Sequence, residues 1–403
     1  MLEDFKPVRP KGRSEKPIDS EKTEEPAFKP PEVVAADEPA TDPVVSTVAA
    51  TKPWYKRKPR KKQVLTASAV AGVLLLVAAI PILALTRREA PAAQPIAVVT
   101  PKPPEPAKPT KEPSKLTGVE VPVELNKLPV TAVMIENSPD ARPQAGLGEA
   151  GVVFEAISEG GITRFSALYQ EAQPERIGPV RSVRPYYLDF IVPFDAPLAH
   201  AGGSAEALAQ IRNEGIKDLD HSFNAGAYQR DSSRYAPHNL YTSRGQLLGV
   251  HNAKGWTSST FTSFTRKKDA ASQAPNARAI DLSISSFLYN PHFDYDAASN
   301  SYKRVMAGKP HMDERTGAQI SPKVVLALVM PHRYQGIYSV YGTTGSGKLY
   351  AFQDGMVTEG TWSKAGRSSQ FVFADAAGNP LALNAGQTWI SIVSRNDAVK
   401  FVP

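Results

Sequence analysis

The 403-residue sequence contains no cysteine. This absence excludes disulfide bonds, thiolate metal sites, cysteine nucleophiles and attachment to lipid through an N-terminal cysteine. Histidine is also scarce, with 7 residues. Those at 292, 311 and 332 lack the spacing of metal ligands, so we predict no metal site and no cofactor. A folded part without disulfides must be stabilised by its hydrophobic core, which a domain of this size can supply.

The folded part of the sequence also lacks a strong charge of one sign. Residues 126–403 hold 27 Lys and Arg against 24 Asp and Glu, which is +3 of the chain's net +7. The remaining +4 belongs to residues 1–125 and is more than accounted for by a basic cluster at 56–62. A nucleic-acid-binding domain would carry a basic stripe. We therefore predict that nucleic acid is not a partner.

One long hydrophobic run is present. Residues 64–85 form 22 consecutive positions without a charge, and a helix of that length spans about 33 Å, enough for a bilayer core of about 30 Å. Six Lys and Arg at 56–62 precede it and two follow it, which places the N-terminus inside. We predict a transmembrane helix over 64–86. A cleaved signal peptide is the competing interpretation, but its apolar region is shorter and does not follow a 63-residue polar tail.

The segments on either side of the predicted helix are poor in core-forming residues. Residues 1–63 are rich in Pro, Glu, Lys and Ala, which predicts a disordered cytoplasmic tail. Residues 87–125 are again rich in Pro, Ala and Lys, and this composition favours a semi-rigid extracytoplasmic linker. The chain is thus predicted to be a single-pass cell-membrane protein whose C-terminal domains lie outside.

The remaining sequence predicts an α+β protein in two parts. Residues 126–265 mix short β-branched and aromatic runs (130–136, 152–157 and 164–170) with two helices that begin after Ser204 and Ser243, so we predict a mixed α/β domain. Residues 280–403 contain strands separated by turns, which predicts a smaller, mostly β domain such as a sandwich or barrel. The glycine-rich GTTGSGK at 342–348 is followed by Leu349 and a strand pattern, so we predict a β-turn there and not a phosphate-binding loop.

Polar residues concentrate in three strings of the first domain: ARPQAGLGEAGVVFEAISEGGITRF (141–165), IGPVRSVRPYY (177–187) and APHNLYTS (236–243). These strings resemble the YerB-type lipoproteins, a bacterial envelope family without an assigned biochemical role. Weaker similarity continues through SYKRVMAGKPHMD (301–313), GSGKLYAFQDGMVTEGTW (345–362) and GQTWISIV (386–393). The resemblance implies an envelope location and a two-domain layout, but no active residues. It departs at the N-terminus, where a lipoprotein has a cysteine and this chain has the predicted helix.

We predict a binding site made of the polar residues that these strings place at strand ends and in loops. Its arginines suit bidentate binding of carboxylate or phosphate, although pairing with the nearby glutamates is an equally weighted alternative. The first functional hypothesis is an envelope protein that binds cell-wall glycan or peptide, or an envelope protein partner. The predicted site residues are Arg142, Gln144, Glu155, Glu159, Arg164, Arg181, Arg184, His238 and Asn239.

The alternative hypothesis is a wall-modifying hydrolase. Glu155 or Glu159 would act as the acid, and His238 would assist as a base. Glycoside cleavage needs two carboxyl groups about 5–9.5 Å apart. Glu155 and Glu159 lie on one face if the strand continues, but they are then about 13 Å apart, which disfavours them as a catalytic pair. A structural turn at 237–239 is the simpler interpretation of His238 and Asn239.

Overall fold

A computed structural model describes residues 109–403, which lie within one compact unit. The predicted tail (1–63), membrane helix (64–86) and most of the linker (87–125) lie outside the described residues. Between 109 and 403 no helix is both long and apolar enough to cross a membrane. Within that range the fold is mostly β with a few helices, so the predicted α+β protein with a mixed α/β first part is confirmed only in part.

The described residues contain four α-helices, α1 (Val123–Asn126), α2 (Pro185–Ile191), α3 (Ala205–Asn213) and α4 (Arg244–Ala253). Ten strands precede residue 270: β1 (Lys111–Pro113), β2 (Glu120–Pro122), β3 (Thr131–Glu136), β4 (Val152–Ile157), β5 (Thr163–Tyr169), β6 (Leu198–His200), β7 (Asp218–Asp220), β8 (Gln229–Arg230), β9 (Leu240–Tyr241) and β10 (Arg266–Lys267). Thirteen follow: β11 (Ala279–Leu282), β12 (Pro291–Asp296), β13 (Ser301–Met306), β14 (Lys309–Pro310), β15 (Val324–Val329), β16 (His332–Gln335), β17 (Tyr338–Tyr341), β18 (Gly345–Gln353), β19 (Met356–Lys364), β20 (Val372–Asp375), β21 (Leu383–Asn384), β22 (Thr388–Val393) and β23 (Val399–Val402).

The last part of the predicted linker is folded. β1 and β2 pair as an antiparallel hairpin, and the side chain of Leu116 between them is buried. Gly151 explains this close packing, because a Cβ atom there would lie 2.7 Å from atoms of Leu116 and Thr117. The prediction of a linker up to 125 is therefore wrong for residues 111–125. The prolines of this segment sit at the ends of short edge strands, where a missing N–H is tolerated.

A ten-stranded mixed sheet is the centre of the molecule, in the order β20-β19-β18-β15-β22-β4-β5-β3-β6-β7. Its middle strand β22 comes from the C-terminal end of the chain and runs parallel to both β15 and β4. All six residues of β3, of β4 and of β22 are buried. The separate sandwich or barrel predicted for 280–403 is therefore not formed, because strands of that part extend the sheet of the first part.

The central sheet is covered on both faces. On one face, Phe154 of β4 stacks on Phe190 of α2, with ring centroids 5.1 Å apart. On the other face lies a five-stranded antiparallel sheet, β14-β13-β12-β11-β23, which contributes Phe293 and Arg304. Because successive residues of a strand point to opposite faces, each polar residue of β3, β4 and β5 is assigned to either the helix side or the small-sheet side.

Candidate functional site

The candidate residues collect at one edge of the central sheet. β3, β4, β6 and β7 run parallel, so their carboxyl ends lie together. Glu136 ends β3, Glu159 follows β4, and Arg164 lies at the start of the antiparallel β5 at the same edge. Ligands of open α/β sheets bind beyond the carboxyl ends of parallel strands. The edge is therefore a plausible position for a site on fold grounds alone.

The sheet separates Glu155 from the arginines with which the sequence grouped it. Arg164 lies directly opposite Glu136 and Ala156 in the strand register, whereas Glu155 lies opposite Phe165. Directly opposite residues share a face, so Arg164 and Glu136 are on the helix side and Glu155 is on the small-sheet side. The predicted single groove is divided by the sheet.

Glu155 is fully buried in an ion pair. Both carboxylate oxygens accept hydrogen bonds from Arg304 Nη2, at 2.9 and 3.0 Å, and Trp389 Nε1 donates to Oε2 at 3.0 Å. Neither side chain of the pair has solvent-accessible surface, and the Arg304 guanidinium lies 4.4 Å from the Trp389 ring centroid. A substrate cannot reach this carboxylate, so Glu155 is not available for catalysis or for ligand binding.

Gln144 and His311 extend this buried network. Arg304 Nε donates to His311 Nδ1 at 3.0 Å, so the ring proton is on Nε2, which donates to Gln144 Oε1 at 2.7 Å. Burial, together with the adjacent guanidinium of Arg304, holds the pKa of His311 well below its ordinary value. Gln144 is itself fully buried, and its role is therefore structural.

Two further candidates stabilise loops. Arg142 Nε donates to Asn137 Oδ1 at 3.0 Å, and its Nη2 donates to the carbonyl oxygens of Asn137 and Leu288. Burial lowers the pKa of Arg142 from its ordinary value. Asn239 donates from Nδ2 to the carbonyl oxygens of Asp231 and Arg234, as expected for the turn interpretation of this segment.

Glu159 lies between two arginines on the helix side. Arg164 Nη2 is 2.8 Å from Oε1, and Arg184 Nη2 is 2.7 Å from Oε2. Burial favours a higher pKa for Glu159, but Arg164, the Ser158 hydroxyl and Arg184 outweigh it, so the pKa is lowered. A general acid needs a raised pKa. The internal Arg–Glu pairing that the sequence left as an alternative therefore describes this residue.

A second acid, Glu136, organises the other half of the edge. His238 Nδ1 lies 3.0 Å from Glu136 Oε1, and the Ser138 hydroxyl donates to the same oxygen at 2.9 Å. Because a carboxylate only accepts, Nδ1 carries the proton, and the other ring nitrogen, Nε2, lies 4.0 Å from Asp140 Oδ2. Arg181 Nε lies 3.3 Å from Oε1. Ser138 and Glu136 both approach Nδ1, so this arrangement is not a serine triad, in which the two would bind different ring nitrogens.

Sequence reasoning missed Glu136 and Ser138. The signal was present, because an acid at the last position of an apolar strand, followed by Asn-Ser-Pro, is a polar group at a strand end. Among residues 109–403, the Glu136 Oε2 atom is buried without a hydrogen-bond partner.

The terminal nitrogens of Arg181 make no hydrogen bond or ion pair to another described residue, and its side chain is 29% exposed. Arg181 thus offers an open guanidinium fork at the edge. The same range contains no group of three or more side chains suited to hold a metal ion.

A cavity of about 560 Å³ adjoins this edge, and we call it the hairpin cavity. It lies between α2, the first turn of α3 and the β16–β17 hairpin, and Arg184 lines it. The hairpin is anchored on the β4–β5 turn, since Gly160 N donates to Ile337 O and Ser339 N donates to Ser158 O. Residues from both halves of the described chain therefore enclose this cavity.

Comparison with known proteins first defines a class. Residues 116–257 match the family model "Protein of unknown function (DUF3048) N-terminal domain", and residues 280–390 match "Protein of unknown function (DUF3048) C-terminal domain". The two models meet in one central sheet, so the class is a two-domain protein whose domains are distinct in sequence but joined in structure.

The chain belongs to this YerB-like family. It is 31% identical over 306 residues to "Putative lipoprotein YerB" of Bacillus subtilis (strain 168), covering 73% of this chain and 89% of that protein. The crystal structure of the YerB protein from Bacillus subtilis is similar with a TM-score of 0.66 and 27% identity, over 72% of this chain and 99% of that chain. The family resemblance inferred from the sequence strings is confirmed.

Proposed function

We propose that this chain is an extracytoplasmic envelope protein, held in the membrane by one helix over 64–86, that binds an anionic cell-wall polymer through the carboxyl edge of its central sheet. The bound polymer is wall glycan or its peptide, and an envelope protein partner is the other occupant consistent with the edge. The hydrophobic run and its basic flank support the anchor. The relative from Bacillus subtilis is named a putative lipoprotein, which supports the envelope location.

The observation that carries the proposal is the open fork of Arg181. Its Nε faces Glu136, which orients the guanidinium, while its terminal nitrogens are unengaged among the described residues. A fork of this kind matches the two oxygens of a carboxylate or phosphate. His238 stands beside it with a side chain that is 23% exposed, but its Nε2 carries no proton in the neutral ring and lies 4.0 Å from Asp140 Oδ2. The donors for an anion at this partly solvated edge therefore come from Arg181.

Sedimentation with purified sacculi tests this function. We expect the full-length chain in mild detergent to pellet with sacculi, and Arg181→Ala to weaken the binding by about tenfold, since a charged hydrogen bond contributes about 1.5–3 kcal/mol. Arg395→Ala is the matched control, because Arg395 is 65% exposed and its one ion pair within residues 109–403 is with Asp397. No pelleting by the wild type, or equal loss in both variants, would contradict the proposal.

A reporter fused behind Pro403 tests the topology separately. A phosphatase that is active only outside the cytoplasm should be active in this fusion, because the basic cluster at 56–62 retains the N-terminal side inside. An inactive but intact fusion would place the folded unit in the cytoplasm and end the envelope proposal.

Hydrolysis is kept as a second candidate function because of the Glu136–His238 pair. A carboxylate on Nδ1 with Nε2 free is the arrangement of a general base. Glu155 is inaccessible and Glu159 is doubly paired, so the residue to test is His238. Soluble fragments released from sacculi by the wild type, and not by His238→Gln, would establish the enzyme. Binding without release favours the first function.

A further inference from the structure

The hairpin cavity contains polar groups that the protein itself leaves without partners. Ser339 and Arg184 line it and are only 4% and 7% exposed. Within residues 109–403, Ser339 Oγ and Arg184 Nε have no hydrogen-bond partner. A buried polar group without a partner costs about 1–3 kcal/mol. Both residues line the cavity, and rotation of the Ser339 side chain toward it would let a ligand supply the hydrogen bond that this hydroxyl lacks.

The walls of the hairpin cavity combine rings with planar polar side chains. Tyr186 and Tyr341 pack edge to face, with ring centroids 4.9 Å apart, and form an apolar wall. Tyr338 is 44% exposed and has the Arg184 guanidinium 5.4 Å from its ring centroid. The amide of Gln210 also lines the cavity but is engaged by Glu206 and Arg367, whereas the exposed Gln335 lines it without a side-chain hydrogen bond to another described residue. An aromatic face for stacking, bordered by an amide that both donates and accepts, suits a ring that carries hydroxyl or acetamido groups.

The cavity presents a ligand with one cation and one acid that form no ion pair with another described residue. Arg367 also lines it, but its guanidinium is engaged by Asp189 and Glu214. Arg333, on β16, is exposed, lines the cavity and forms no ion pair with another described residue. One acid, Glu206, lies in the first turn of α3 at the same cavity. Arg333 is therefore free to bind an anionic substituent, while Glu206 can accept from a hydroxyl.

We propose that the hairpin cavity binds a saccharide that carries a carboxylate, with a ring on Tyr338, its carboxylate on Arg333 and a hydroxyl or amide on Ser339. This inference deepens the proposed function and rests on it, because wall glycan supplies sugars of this class. The volume of about 560 Å³ lies within the range of about 300–1,000 Å³ that is usual for small-ligand sites. The carboxyl edge of the central sheet and the hairpin cavity adjoin at Arg184, which pairs with Glu159 and lines the cavity, so one polymer can occupy both.

Calorimetric titration of the full-length chain in detergent tests the ligand class. The first probe is a disaccharide of N-acetylglucosamine and N-acetylmuramic acid, which carries a lactyl carboxylate. The second is diacetylchitobiose, which has similar rings and no carboxylate, and the third is glycerol phosphate. We expect the first to bind at least about tenfold more tightly than the second, as one charged contact predicts. Equal binding of the first two, no binding of the first, or tighter binding of glycerol phosphate would overturn the inference.

Variants of the β16–β17 hairpin test the residues. Tyr338→Ala should weaken disaccharide binding by about tenfold, whereas Tyr334→Ala should not, because Tyr334 is an exposed tyrosine of the same hairpin that does not line the cavity. Ser339→Ala should weaken binding by about two- to tenfold without lowering the unfolding midpoint, because it removes a hydroxyl that has no hydrogen-bond partner among the described residues. A lowered midpoint with unchanged binding would show that Ser339 is structural and overturn its role.

The sacculus assay separates failure of the cavity from failure of the function. If the wild type pellets and Arg181→Ala weakens pelleting while Tyr338→Ala and Arg333→Ala do not, the proposed function stands and the cavity inference fails. If the wild type does not pellet, the proposed function fails, and the disaccharide titration still decides whether the cavity binds a carboxylated sugar.

Discussion

Replacing Glu155 by Gln should destabilise the protein strongly without changing its binding to the wall. The carboxylate is enclosed and accepts from Arg304, Trp389 and Ser391. Gln has the same shape, but its amide nitrogen would face a hydrogen-bond donor in either of the two orientations of the amide group. The substitution would also leave the charge of Arg304 without a counter-ion. Breaking one partner of a buried ion pair costs about 3–5 kcal/mol. For a domain of this size we expect Tm to fall by roughly 6–15 °C.

Urea unfolding followed by far-UV circular dichroism measures this cost. Glu159→Gln is the comparison, because Glu159 is also paired with arginine but is 25% exposed, and its loss should cost only about 1–2 kcal/mol. Sacculus binding per folded molecule should stay at the wild-type level for Glu155→Gln. A loss below about 1 kcal/mol, or a loss of wall binding at full stability, would refute the assignment of Glu155 as a structural residue.

A double-mutant cycle measures the interaction energy between Glu155 and Arg304. Arg304→Met removes the cation and keeps an apolar side chain against Trp389 and Phe293. Replacing both charges of a buried pair is often nearly neutral, whereas removing one is not. The variant Glu155→Gln/Arg304→Met should therefore be more stable than Glu155→Gln alone, with a coupling energy of about 1–3 kcal/mol. Simple additivity of the two single losses would show that the charges do not interact.

Three further predictions concern stability. The lowered pKa of His311 means that the unfolded chain binds a proton below about pH 6.5 that the native state excludes. The unfolding free energy should therefore fall by about 2 kcal/mol more between pH 7 and pH 5 in the wild type than in His311→Gln, and equal pH slopes would contradict this. Gly347→Ala should cost about 1–3 kcal/mol, because its Cβ would lie 2.5 Å from Val329 O and 2.7 Å from Trp362 Nε1; a neutral effect in urea unfolding would contradict the packing. Gly249→Ala, in α4 with no atom within 4 Å of the new Cβ, should stabilise by roughly 0.5–1 kcal/mol, and a lowered midpoint would refute this.

Local signals in the sequence predicted the local structure well. The predicted strands at 130–136, 152–157 and 164–170 match β3, β4 and β5 to within one residue at each end. The serine caps of α3 and α4 are also present, since Ser204 Oγ accepts from Ala207 N and Ser243 Oγ accepts from Gln246 N. β-branched runs and capping serines act over a few residues, and for this reason they can be identified without knowledge of the tertiary fold.

The candidate site was harder to predict because its partners are distant in sequence. Glu155 and Arg304 are 149 residues apart, and Glu136 and His238 are 102 apart. Alternation along β4 indicates that Glu155 points away from Phe154, but not whether protein or solvent lies there. The small sheet covers that face and makes the acid structural. On the helix side, the part of the chain that the structure describes leaves Arg181 partly exposed.

The position of β22 has a consequence for the order in which the molecule can be assembled. Thr388 to Ser391 pair with Val152 to Glu155, so β4 lacks one neighbour until residues 388–391 have been synthesised. A chain that ended before 388 would present an apolar strand with unsatisfied N–H and C=O groups, which is a template for pairing with other molecules. Completion of the central sheet is thus a late event, and a nascent first half requires protection from self-association until its C-terminal strand arrives.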